Sequence, residues 1–170
     1  MRNTQRYSAA AVPAAWLVTT AAALATFAAI IFLLHPAATN AASSSGAVVS
    51  TGSSKIGRIL VNSRGHTLYM FGKDRGGKSS CAGQCATFWP PLITSSKPRV
   101  SAGAKASLLG TVKRADGRMQ VTYNHHPLYT FAKDTKKGQT NGEEVSAFGA
   151  KWYAVSPAGA RVATGGGGGY

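Results

Sequence analysis

Acidic side chains are scarce in this chain: 5 Asp and Glu stand against 19 Lys and Arg, a formal net charge of +14 over 170 residues. Such an imbalance draws polyanions by sequence-independent electrostatics, with anionic wall polymer and acidic lipid headgroups as the natural neighbours. The basic residues are spread from Lys55 to Arg161 instead of forming a run, and no basic-aromatic reader motif accompanies them, so nucleic acid is not the expected partner. Cysteine is almost absent too. Cys81 and Cys85 allow one disulfide at most, and with no His at ligand spacing beside them they do not make a four-ligand zinc site. A Cys-x-x-Cys-His haem attachment, a Gly-rich phosphate loop, a Ser-His-Asp order and a His-Glu-x-x-His phrase are all missing. Sustained helical spacing of apolar residues is missing after residue 54, the nearest approach being a single turn within Ala102 to Leu109.

What is present begins with an export signal. Residues 1–7 carry Arg2 and Arg6, and Ser8 to Leu34 is free of charge. That run exceeds the apolar core of about 7 to 15 residues of a cleaved signal and reaches the roughly 20 needed to span a membrane. Its length favours a membrane anchor, while Pro13 and the small residues Thr39-Asn40-Ala41 keep cleavage open as the alternative. No Cys lies just after the run, so nothing there can carry a lipid. Residues 35–54, a His-Pro stop followed by small side chains without charge or aromatic ring, read as a flexible linker, and the Gly-rich residues 164–170 as a disordered tail. A folded unit of residues 55–163 is left between them.

That unit says one thing twice. Leu68-Tyr69-Met70-Phe71-Gly72-Lys73-Asp74 returns as Leu128-Tyr129-Thr130-Phe131-Ala132-Lys133-Asp134, with His66 and His126 preceding the two Leu by the same interval. Tyr and Phe two apart share one face of a strand, so the pairs Tyr69, Phe71 and Tyr129, Phe131 predict a packing face, and Asp74 and Asp134 fall where each strand must turn. Trp89 and Trp152 follow as core plugs, each expected on a strand of its own. Turn residues at Asn62 to Gly65, Ala115 to Gly117, Asn124 to Pro127 and Pro157 to Gly159 divide β-branched runs into hairpins. The expected fold is therefore all-β, with antiparallel hairpins from two tandem repeat units, about 56–95 and 108–156, packed as one small domain behind an N-terminal apolar helix.

In order along the chain, Tyr69-x-Phe71-x-x-Asp74, Cys81-x-x-x-Cys85-Ala86-x-x-Trp89-Pro90-Pro91-Leu92, Leu109-Gly110-Thr111-Val112-x-Arg114-x-Asp116-Gly117, Gln120 to Asn124, and His126-Pro127-Leu128-Tyr129-x-Phe131-x-x-Asp134 resemble a bacterial secreted or lipoprotein repeat family of unknown function, one marked by a Tyr-x-aromatic-x-x-Asp motif. The resemblance implies an envelope address. It implies no assigned reaction, so it brings no catalytic residue with it.

Several chemical readings stand beside the structural ones. Asp74 and Asp134 would form an acid-base dyad only if brought within a few ångströms, and turn-fixing is the simpler use of both. His66 and His126, matched between copies, are the candidates for metal or haem ligation, against a role as solvated turn residues. Cys81 and Cys85 form a structural disulfide on the leading reading, and a thiol redox pair or a copper site with His66, His125 or His126 on the other. The sequence thus predicts a non-enzymatic envelope module without a cofactor, with a redox or copper accessory as the rival.

Overall fold

The computed structural model describes residues 46–162, and almost all of their regular structure is strand. The first unit opens with β1 (Val48–Ser54) and β2 (Gly57–Asn62), paired antiparallel from Val49↔Asn62 to Ser54↔Gly57, and continues through β3 (Tyr69–Phe71). A five-residue helix α1 (Gln84–Phe88) leads to β4 (Ile93–Thr94). A connector holding β5 (Arg99–Val100) and a 3₁₀ turn at Ala106–Leu108 enters the second unit. There β6 (Leu109–Lys113) and β7 (Met119–Tyr123) form the matching hairpin, followed by β8 (His126–Pro127), β9 (Ser146–Ala147) and β10 (Ala150–Ala154).

The units share equivalent backbone bonds around their hairpins. Leu60 and Val121 sit at equivalent places: Leu60 O accepts from Leu68 N and Val121 O from Leu128 N, each at 2.9 Å. Leu60 N then donates to Val155 O (2.7 Å), and Val121 N to Leu92 O (2.8 Å). Leu92 belongs to the first unit and Val155 to the second, so each unit lends its closing segment to the other's hairpin. β10 accordingly pairs with β3 (Trp152↔Phe71), while β4 pairs with β7 (Ile93↔Gln120). At the centre the two copies of the repeated phrase meet as an antiparallel bridge, Tyr69↔Tyr129.

Both faces of that central layer are buried. Tyr69, Phe71, Tyr129 and Phe131 enter one apolar cluster with Trp89, Trp152 and the two cysteines; Leu68, Met70 and Leu128 enter another with Val49, Leu60 and Val121. The predicted alternation of the repeated phrase is what sorts these side chains.

Four expectations are corrected. Residues 48–54, predicted to be part of the flexible linker 35–54, form β1 with Val49 fully buried, because backbone pairing to β2 on one side and β5 on the other supplies what the small side chains do not. The β1–β5 pairing is parallel in an otherwise antiparallel set. Trp89 ends α1 instead of lying on a strand. His126 lies in β8, facing Tyr123, because Asn124 and His125 make the whole turn, with φ of 48° and 65°.

The N-terminal apolar segment 8–34, the basic residues 1–7 and the tail 164–170 lie outside the described residues. Among the described residues no helix is long and apolar enough to cross a membrane.

Candidate functional site

The repeated phrase puts its tyrosines side by side. Tyr69 N donates to Tyr129 O (2.8 Å) and Tyr129 N to Tyr69 O (3.0 Å), and both rings are fully buried. Their hydroxyls then cross. The Tyr69 hydroxyl donates to Asp134 Oδ2 at 2.6 Å, and the Tyr129 hydroxyl to Asp74 Oδ2 at 2.8 Å. The second oxygen of each carboxylate stays at home: Asp74 Oδ1 accepts from the Ser80 amide and hydroxyl at 2.8 Å each, and Asp134 Oδ1 from the Asn141 amide at 2.9 Å. One Asp therefore closes its own loop and fastens the other unit in the same stroke.

Burial sets the protonation chemistry. It pushes Asp134, 2% exposed, and the partly buried Asp74 above the ordinary carboxylate value, against the pull of their hydrogen-bond donors. It also raises both tyrosines, reinforced by the neighbouring carboxylates. A phenol held this way is a donor, not a base. The Gly142 amide adds a donor to the Tyr69 hydroxyl, and a side chain at Gly142 would come within 2.8–2.9 Å of the Trp89 and Tyr69 rings.

Around the tyrosines the large rings form one column. Phe71 stacks on Trp152 at 4.0 Å, Trp152 on Trp89 at 3.9 Å and Trp89 on Phe131 at 4.1 Å, so each unit's Phe lies on the other unit's Trp. Tyr69 meets Trp89 and Tyr129 meets Trp152 edge to face.

The two matched histidines each have a carboxylate neighbour. His126 acts electrostatically on Asp74, and His66 on Asp134, at two equivalent places. His126 lines a cavity of about 480 Å3 with Asp74, Gly77, Asn124 and His125, and burial lowers its pKa. Among the described residues no three of His, Cys, Asp and Glu are grouped as a metal site. Cys81 and Cys85 are bonded to each other, 1% and 6% exposed, and packed in the aromatic cluster.

In the sequence Arg114 stands out only as a residue of the repeat-family phrase, with no role of its own. Only 8% exposed, it reaches from the second hairpin into the first unit's loop and donates to Cys81 O, Ser79 Oγ and Gln120 Oε1, each at 2.7 Å, with Asp116 beside it at 3.3 Å. Gln120, fully buried, was the available signal: an amide in the middle of an apolar strand needs a partner. Its other end donates to Leu128 O.

A family model described as a secreted repeat of unknown function matches residues 50–93 and 110–156. The two matches coincide with the two units. No curated protein and no solved structure matches the chain.

Proposed function

The chain belongs to the family of secreted repeats of unknown function, and from that premise we propose that it is an exported envelope protein whose β domain binds polyanions and catalyses nothing. The observation that carries this reading is the state of its charges. Asp74, Asp134 and Glu143 accept hydrogen bonds inside the fold, and Asp116 is the single acid in an ion pair among the described residues, held by Arg114 and Arg118. The other described Lys and Arg have no carboxylate within ion-pair distance, so a field of uncompensated cations faces solvent. Anionic wall polymer and acidic headgroups share the chemistry that such a surface attracts.

The same facts support a structural role for the disulfide over redox or copper chemistry. Its sulfurs are buried among aromatic rings, and Arg114 anchors the loop that carries them.

Co-sedimentation of the exported domain with purified anionic wall material, and separately with vesicles containing acidic lipid, tests the proposal. Retention should fall steeply as salt rises. The arm that retains protein identifies the source of the anion, and retention indifferent to salt, or none in either arm, overturns the reading.

A further inference from the structure

Since the two hairpins share equivalent backbone bonds, a place where they differ is informative. In the first unit the outer edge of β1 is occupied by the connector: Val49 O accepts from Ser101 N (2.9 Å), and Thr51 N donates to Ala102 O (3.1 Å). Leu109 and Thr111 hold the same places in the second unit. Val49 and Thr51 face Asn62 and Leu60, as Leu109 and Thr111 face Tyr123 and Val121, and Leu60 and Val121 are already equivalent.

The direction of the main-chain groups on β6 follows from its ends. Leu108 O accepts from Asn124 N (2.7 Å) and Arg114 N donates to Arg118 O (2.9 Å). Antiparallel pairs alternate, so Gly110 and Val112 point their amides and carbonyls toward β7, and Thr111 and Lys113 point theirs away. Val121 confirms the alternation, since it faces Thr111 yet spends its own amide on Leu92. Among the described residues no strand pairs with that outer edge of β6. Beside it lies a groove of about 560 Å3 lined by Lys97, Arg99, Val100, Ala106, Leu109 and Thr111 among others.

The geometry points to a docking site: β6 takes up an extended acidic peptide segment of another exported protein, added as a further strand along Leu109–Lys113. Strand addition draws affinity from main-chain bonds and selectivity from alternate side chains. Here one face of the added strand would meet the apolar floor of Val100, Ala106 and Leu109, and the groove's charges, Lys97 and Arg99, are both cations with no acid beside them. A second copy is the wrong occupant, because two chains of +14 repel. The chain's own end is poorly suited as well, since five consecutive glycines before Tyr170 bring neither apolar nor acidic side chains to the groove.

Anisotropy of a labelled eight-residue peptide of alternating Val and Asp, titrated with the full chain, reads the binding. Blocking successive peptide amides by N-methylation should weaken affinity at every second position, by about tenfold, and leave the intervening positions unchanged. Loss without that period, or no binding, overturns the proposal. Thr111→Pro removes the outward amide without touching the β6–β7 ladder and should also cost about tenfold. Should that variant misfold, the pair Lys97→Glu and Arg99→Glu serves instead: it should lose the Val-Asp peptide and gain a Val-Lys peptide, and unchanged preference would refute the site. Self-association of the wild type that Thr111→Pro abolishes, or tighter peptide binding after removal of residues 163–170, would assign the edge to a second copy or to the tail and overturn the assignment.

Discussion

Each repeated tyrosine serves two parts of the molecule at once, its main chain pairing with the other tyrosine and its hydroxyl binding the other unit's Asp. The two sites differ in access to water. Asp134 is 2% exposed, whereas Asp74 is partly open and has Ser79 and Ser80 nearby. Tyr69→Phe should therefore cost about 1.5–3 kcal/mol in denaturant unfolding, the range for a lost bond to a charged group, and Tyr129→Phe clearly less. Equal costs would show that burial does not set the difference. The pH dependence follows from the raised Asp134: its ordinary value is 3.8, and the folded state holds the proton more tightly. Its contribution to stability is present below 3.8 and is lost as pH rises through the folded value. Unfolding measured from pH 7 down to about 4 should thus show the stability advantage of the wild type over Asp134→Asn growing on acidification. An advantage that shrinks instead means the carboxylate stabilises the fold in its charged form. The Tyr-x-Phe alternation was legible in sequence because it concerns neighbours. Partners 65 and 55 residues away were not.

Among the elements, α1 and β1 show how the sequence concealed some of them. α1 has five residues and a Gly83 cap without a side-chain bond, too short to display a period; the disulfide, closing a separation of four residues, ties its first turn to the preceding loop. β1 lacks apolar alternation and is held by neighbours on both edges. The disulfide is a local brace, since the second unit builds its corresponding loop from Asp134 to Trp152 without one. A closed loop this small is worth about 2 kcal/mol by chain entropy. The double variant Cys81→Ala, Cys85→Ala should lose about that much in urea unfolding and keep the near-UV signal of its stacked tryptophans. Global unfolding at neutral pH would show the brace to be essential.

At the scale of the whole molecule the units are interleaved: Val155 pairs with Leu60, Leu92 with Val121, and Trp89 stacks on Trp152. A single unit lacks the strand that covers its hairpin and half of its ring column, so it should not fold alone. Fragments covering 46–105 and 106–162 should each lack near-UV circular dichroism and regain it when mixed one to one, the coupled Trp89–Trp152 pair being the reporter. A fragment with native signal by itself would contradict the interleaving. The sequence by itself determined the strand content, the duplicated unit, the inward aromatics and the membership of a secreted repeat family, because these depend on spacing of two and on recurrence along the chain. Only the tertiary structure decided which Asp each Tyr binds, whose Trp each Phe covers, and which hairpin edge stays open. Those are choices among partners far apart in the chain, and the exchange of closing segments settles them by bringing one unit's loop against the other's strand.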